Sequence, residues 1–207
     1  MKYFLFLSLL TSSLLGIGQV EYTMNVSTGG GVSGYYGDLG SDFSYERFTF
    51  DVGVSFEVRK RNWAFILGSG FTDIGHLAYF AFRDQNGGDA GGVDLTFNRS
   101  GAYVHAGFRY YPRRSKFFYG GGVQNTFIRQ LKVRSSIFTE DHTYDPFLNH
   151  VMTYGEVGYR VELSRHFSIS AVLKQTVGVY TFVPNQVNMT GNPVQSIISG
   201  EFCYRFR

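Results

Sequence analysis

The sequence has 207 residues, which suits one domain better than two. Glycine (26 residues) and aromatic residues (18%) exceed ordinary usage, whereas proline (4 residues) and charged residues (17%) are scarce. This composition favours many strands and turns, and the formal charge of +3 is too small to indicate a nucleic-acid partner. A helical membrane bundle is excluded because no long apolar stretch follows residue 18.

The first residues have the features of a secretory signal peptide. Lys2 precedes an apolar run, and Gly16-Ile17-Gly18 supplies the small residues that signal peptidase accepts. The alternative is a transmembrane helix, but spanning a bilayer takes about 20 apolar residues and this run is shorter. We therefore predict a cleaved signal peptide over residues 1–18 and an exported barrel domain over residues 19–207.

Strict alternation of apolar and polar residues then predicts strands. Between Arg47 and Arg59 every second residue is Phe or Val, which gives a strand one apolar face. The same reasoning along the chain predicts eight segments long enough to cross a bilayer, which takes roughly 9 to 11 tilted residues per strand. They are Tyr22–Tyr36, Arg47–Arg59, Trp63–Thr72, Ala102–Tyr111, Phe117–Arg129, Val151–Leu163, Phe167–Val179 and Gln195–Phe206.

The connections between these segments alternate in length. Three are short, at Lys60–Asn62, Pro112–Lys116 and Ser164–His166, and four longer ones lie between them. Outer-membrane barrels combine short periplasmic turns with longer outward loops. The predicted fold is therefore all-β, an eight-stranded antiparallel up-and-down transmembrane β-barrel in the cell outer membrane, with both termini on the periplasmic side.

The second long connection carries strand-like patterns of its own. Leu77–Phe82 and Val93–Phe97 flank the turn-like segment Gln85–Asp89, so this connection is expected to extend a hairpin beyond the membrane. Recognition usually resides in loops on a rigid scaffold. Residues Arg83–Gly92 are accordingly the best candidates for a recognition surface.

Alternation alone does not decide which face is inside, since a soluble lipocalin-like barrel alternates with its apolar side chains inward. The alternation of loop lengths and the aromatic strand ends favour a membrane barrel. The charged residues of the polar faces would then form an enclosed, salt-bridged network that fills the lumen and leaves no open ion channel. The predicted lumen network comprises Asp51, Glu57, Arg109, Glu156, Arg160, Glu162, Lys174, Glu201 and Arg205.

Three segments resemble a known family. They are Gly34–Leu39 after the first strand, Phe118–Val123 in the fifth, and Phe202–Phe206 in the last. The chain resembles small outer-membrane barrels of the OmpA, OmpX and OmpW kind, and especially the outer-membrane β-barrel domain proteins related to PorT and PorG. The resemblance implies that Phe202, Tyr204 and Phe206 form the carboxy-terminal signal read by the barrel-assembly machinery, although Arg207 follows here.

Other patterns that could bind a ligand favour plain structural explanations. Gly29, Gly31 and Gly34 match a dinucleotide fingerprint but lack its strand-to-helix context. The polar segment around Glu140, Asp141, His142 and Asp145 fits no metal template and is expected to be a solvated loop. We predict neither a cofactor nor a metal.

Three functions remain open. The leading one is a noncatalytic barrel with a structural or surface-recognition role through its outward loops, in contact with outer-membrane lipid and lipopolysaccharide. The resemblance to PorT and PorG implies a component of an envelope or secretion machine that docks other envelope proteins. A lipid A-modifying enzyme is the third, for which His76, His142 and His150 near the outer rim are the candidate bases. The short turns are basic, which indicates anionic lipid headgroups or a partner protein.

Overall fold

The computed structural model describes residues 20–36, 43–83, 89–135, 142–144, 148–182 and 192–206. The predicted signal peptide, most of the Gln85–Asp89 turn, and Glu140, Asp141 and Asp145 of the acidic segment lie outside these residues. Within the described residues, no helix is long and apolar enough to cross a membrane.

The described chain is built from β-strands. Their bounds are β1 Val20–Tyr36, β2 Phe43–Lys60, β3 Trp63–Arg83, β4 Asp89–Tyr110, β5 Phe117–Ser135, β6 His142–Tyr144, β7 Leu148–Glu162, β8 Phe167–Phe182 and β9 Asn192–Phe206. Each of the eight predicted segments corresponds to one long strand. The three-residue β6 is additional, and it pairs only with the outer part of β5.

The long strands close into a ring of antiparallel neighbours. Consecutive strands pair around the ring, with β7 next to β5, and β4 pairs with β5 so that the sheet has no gap. The last strand closes on the first, with Tyr22 opposite Phe206. The eight-stranded antiparallel up-and-down barrel predicted from the alternation is therefore confirmed, and both ends of the barrel chain lie at the rim that carries the short turns.

The polarity of this barrel is the reverse of a soluble protein's. The apolar side chains of its middle section face outward and are exposed, with Leu67 at 57% and Val54 at 48%. Ionisable side chains such as Glu57 and Arg109 are buried inside. This arrangement contradicts the lipocalin-like alternative and matches a wall that touches hydrocarbon. Aromatic side chains ring the short-turn rim: Tyr22, Trp63, Phe117, Tyr159, Phe167, Tyr204 and Phe206.

Strands β3 and β4 are much longer than the segments predicted for them. The predicted segments stop at Thr72 and restart at Ala102, whereas the structure pairs the strands continuously through Tyr79 opposite Asp94 up to Arg83. The extended hairpin expected in this connection is thus present. From Phe71 to Arg83 the strand advances about 40 Å, which at the usual tilt is roughly 30 Å beyond the apolar belt.

The polarity of the sheet inverts in this extension. Most of its buried side chains are apolar, namely Ile74, Ala78 and Val93, with Leu131 of the adjacent β5, and Arg99 is buried at its base. Asp94 and Lys132 lie on the exposed side. Apolar side chains inside and polar ones outside are what a sheet surrounded by water requires. The hairpin formed by residues 73–83 of β3 and residues 89–100 of β4 therefore stands outside the bilayer, and we call it the extracellular hairpin.

Candidate functional site

The centre of the barrel is filled by a charged cluster around Arg109. Its guanidinium binds Glu156 through two hydrogen bonds of 2.6 and 3.1 Å, and Glu201 through two of 2.6 and 2.9 Å. A further bond of 3.4 Å reaches Glu57. Bidentate pairs of this kind are the strongest hydrogen-bonded ion pairs in proteins. Because the partners come from β2, β7 and β9, one side chain of β4 ties together strands from around the whole ring.

A second arginine completes the layer nearest the short turns. Arg160 lies 3.5 Å from Glu57, and its guanidinium lies 4.9 Å from the centroid of the Tyr111 ring. The Tyr111 hydroxyl donates to both oxygens of Glu57, at 2.9 and 2.8 Å. Phe118 is fully buried beneath them with Ala64 and Val172. The carboxylate of Glu57 thus has three neighbouring donors, which compensates for its removal from water.

On the extracellular side of Arg109, Lys174 and Asp51 form a further polar layer. The Lys174 ammonium donates to Gln124 at 2.8 Å and lies about 5 Å from the ring centroids of Tyr103 and Tyr154. The Tyr103 hydroxyl donates to Asp51 at 3.0 Å. Between these residues and Arg109 a cavity of about 30 Å³ remains, which is the size of one water molecule.

The extracellular mouth of the barrel is closed by a separate layer. The Gln195 amide donates to the hydroxyls of Thr49 and Thr72 at 3.2 and 3.1 Å. Arg99, which is 2% exposed, lies 4.3 Å from the centroid of the Tyr35 ring. The apolar side chains Ile74, Ile128 and Met152 pack beside Tyr35. The lumen is therefore filled at two levels: the Arg109 cluster with the adjoining layers of Arg160 and Lys174 below, and this layer above.

Most of the predicted lumen network is brought together. Seven of its members lie inside, namely Asp51, Glu57, Arg109, Glu156, Arg160, Lys174 and Glu201. Glu162 and Arg205 are not part of this cluster. They form their own ion pair of 2.8 Å, and Glu162 is 52% exposed at the short-turn rim. Both residues point inward by alternation, but each stands at the very end of its strand, so the barrel does not enclose them.

Sequence reasoning did not identify the neutral partners of this network. Tyr103, Tyr111 and Tyr154 face inward because they share the parity of Arg109 and Glu156, whereas Gln124 is buried on β5, which contributes no charged residue to the predicted network. The alternation of each strand was therefore the sequence signal that could have identified these inward-facing neutral residues. Inward glycines make room for such large side chains, since a Cβ atom at Gly158 would lie 2.1 Å from the Phe118 ring.

Of the remaining sequence candidates, the glycines of β1 and the three histidines lie on strands. Gly29 and Gly31 are in β1 against β9, where a Cβ atom at Gly31 would lie 1.8 Å from the Ser196 carbonyl oxygen, so close strand packing accounts for them. His150 is buried between Tyr35, at 3.2 Å, and Thr181, at 2.9 Å.

The predicted assembly-signal residues also lie on a strand. Phe202, Tyr204 and Phe206 are on β9 within the aromatic rim. Of the other two candidate histidines, His76 is on β3 and His142 on β6.

Solved barrels of low sequence identity have a similar fold. The attachment invasion locus protein Ail of Yersinia pestis is 12% identical with a TM-score of 0.47, over 89% of this chain and 98% of Ail. The outer membrane protein OprG from Pseudomonas aeruginosa is 14% identical with a TM-score of 0.43, over 92% of this chain and 96% of OprG. The outer membrane protease OmpT from Escherichia coli is 9% identical with a TM-score of 0.39, over 90% and 96% of the two chains.

No protein-family model matches the sequence, and no curated protein matches it either. The resemblance to small outer-membrane barrels extends to the architecture of this chain, because its long strands form a closed antiparallel ring. The location follows from the molecule itself. A closed ring of strands with an apolar outer belt, an aromatic rim and a charged interior is built to stand in a bilayer, and such barrels are outer-membrane proteins. The chain is an outer-membrane β-barrel.

Proposed function

We propose that this outer-membrane barrel is noncatalytic and displays a recognition surface on its extracellular hairpin. The observation that carries the proposal is the continuous pairing of β3 and β4 for about 30 Å beyond the apolar belt. A connection that only had to join two strands could be a short loop. An ordered sheet at that height gives a rigid support for binding residues.

The outward side of the hairpin has the mixed chemistry of a binding surface. Leu77 and Tyr79 on β3 lie beside Asp94, Thr96 and Asn98 on β4, and all are at least partly exposed. The Tyr79 ring lies over Gly92, where a Cβ atom would come within 2.2 Å of it. An aromatic ring held against a glycine and surrounded by polar groups is typical of recognition surfaces.

The filled lumen supports a role that involves neither catalysis nor transport through the barrel. The carboxylates of Glu57, Glu156 and Glu201 are all bound to Arg109, so none is available as a general base or nucleophile. The residual cavity of about 30 Å³ holds no acyl chain. The barrel is thus best described as a plugged scaffold for what stands above the membrane.

A shortened hairpin tests this function. Residues 78–95 are replaced by Asn-Gly, which joins the paired residues Leu77 and Thr96 through the tightest hairpin turn. The shortened barrel should fold, as judged by a heat-sensitive shift in gel mobility. Cells producing it should be retained several-fold less than wild-type cells on at least one of three surfaces, coated with lipopolysaccharide, an acidic polysaccharide or a basic protein.

Equal retention of both cell types on all three surfaces would contradict the proposal. The competing functions give different results. Release or transfer of an acyl chain from labelled lipopolysaccharide by the purified barrel would identify a lipid A-modifying enzyme. Loss of protein secretion on deletion of the gene, with no change in surface retention, would identify a component of a secretion machine of the PorT and PorG kind.

A further inference from the structure

The short-turn rim carries a set of exposed cations. The turns are Arg61-Asn62 between β2 and β3, Tyr111–Lys116 between β4 and β5, and Leu163–His166 between β7 and β8. Their exposed cations are Arg61, Arg113, Arg114, Lys116 and Arg165. All three turns lie at one end of the barrel, because every second connection of an up-and-down barrel lies at the same end. We call this set of five residues the basic rim.

The carboxylates of the same rim are already paired with other cations. Glu21 lies 3.9 Å from Arg59 and 3.7 Å from Arg205, and Glu162 lies 2.8 Å from Arg205. Within the part of the chain that the structure describes, no carboxylate lies within ion-pair distance of the basic rim. The positive charge of the basic rim can therefore bind an anionic group outside the protein.

In two of the turns an arginine of the basic rim has an unfavourable backbone conformation. Arg61 has a φ of 58° and Arg114 a φ of 63°, both in the left-handed region that favours glycine and asparagine. In a two-residue hairpin turn with a positive first φ, glycine is the preferred residue. In the Arg61-Asn62 turn the asparagine occupies the second position, and the arginine occupies the first position, which has the positive φ. Arginine thus occupies both positions where a small neutral residue would be more stable.

The height of the basic rim relative to the membrane identifies its partner. Trp63 directly follows the Arg61-Asn62 turn, and Phe117 directly follows Lys116. Aromatic rings of this kind mark the level of the lipid headgroups. The Lys116 ammonium lies 6.0 Å from the Tyr159 ring centroid, at the same level. Side chains one or two residues below the rings reach the phosphates, which guanidinium groups bind with two parallel hydrogen bonds.

We infer that the basic rim binds the phosphates of anionic phospholipids in the periplasmic leaflet of the outer membrane. The binding fixes the depth of the barrel and enriches these lipids around its periplasmic end. It is independent of the recognition surface on the extracellular hairpin, which lies at the other end of the same strands.

Trp63 is a built-in reporter for this inference, because it is the only tryptophan of the chain and adjoins the turn that holds Arg61. Its side chain is 60% exposed on the lipid side. The mature barrel is reconstituted in phosphatidylcholine vesicles with a minor fraction of brominated phosphatidylglycerol or, in parallel, brominated phosphatidylcholine. We expect phosphatidylglycerol to associate about fivefold or more tightly, judged by quenching of Trp63, and salt to reduce this preference.

The test variant is R61N/R114N, which removes two charges and suits the left-handed backbone, so it should fold at least as stably as the wild type. Its preference for phosphatidylglycerol should fall to near unity, whereas R61K/R114K should retain most of it. The matched control is K132N/R134N on β5, which removes two exposed cations far from this rim and should leave the preference intact.

An unchanged preference in R61N/R114N would overturn the inference. So would equal quenching by the two lipids in the wild type. If cross-linking in whole envelopes captured a protein in an Arg61- and Arg114-dependent manner while the lipid preference was absent, the basic rim would be a protein-docking site and the lipid inference would be wrong.

Discussion

Arg109 makes five charge-assisted hydrogen bonds to Glu57, Glu156 and Glu201 while only 3% exposed, so its removal leaves three carboxylates together in a space with almost no water. Breaking a buried ion pair on one side costs about 3–5 kcal/mol. We therefore expect R109M to lower the free energy of unfolding by about that amount, measured by urea denaturation in lipid vesicles with Trp63 fluorescence as the signal.

The matched control for R109M is R205Q. Arg205 also pairs with a carboxylate, Glu162, but at the exposed rim, where ion pairs contribute about 0–1 kcal/mol. A loss for R109M as small as that for R205Q would mean that the cluster is not a cohesive unit. Sequence parity predicted that Arg109 and the three glutamates face inward. It could not predict which side chains meet, because parity fixes the face of a residue but not its height or its position around the ring.

At the scale of the strand, the outward face of β3 sets the register against the membrane. Leu67 is in the middle of the apolar stretch from Trp63 to Phe71, whereas Phe48 is near the outer edge of the belt on β2. Arginine on the lipid face costs about 2–4 kcal/mol at the midplane and about 0–1 kcal/mol near the interfaces. L67R should therefore destabilise the barrel in vesicles by several times more than F48R, measured by the same urea titration.

Equal losses in L67R and F48R would place the bilayer elsewhere on the barrel. The same strand explains why the sequence underestimated the length of β3 and β4. Up to Phe71 the apolar residues face outward, but beyond it Ile74 and Ala78 face inward while Asp73 faces outward. The apolar set changes faces where the strand leaves the membrane, so a continuous strand does not give a continuous alternation. A prediction that expects the apolar residues to stay on one face of the strand therefore ends the strand at the membrane surface.

For the whole molecule, the two filled levels of the lumen act as constrictions in series. The lower level is the Arg109 cluster, and the upper level contains Gln195 and Arg99. An eight-stranded barrel is only wide enough for side chains to fill its interior, so the wild-type protein should give no steady conductance in planar bilayers. Alternation predicted a filled lumen but not its upper level. Most side chains of that level are neutral, and its arginine, Arg99, lies outside the predicted segments, which restart at Ala102.

Opening such a barrel requires both levels to be cleared. We expect R109S/E156S to remain closed because the upper level is intact, and R99S/Q195S to remain closed because the Arg109 cluster is intact. The combined variant, in which Tyr103 and Lys174 between the two levels are also replaced by serine, should conduct small ions, provided that its gel mobility still shows a folded barrel. Conductance of either double variant as large as that of the combined variant would show that a single level seals the lumen. Each level joins side chains from different sides of the ring. The same contacts therefore seal the lumen against ions and stabilise the barrel.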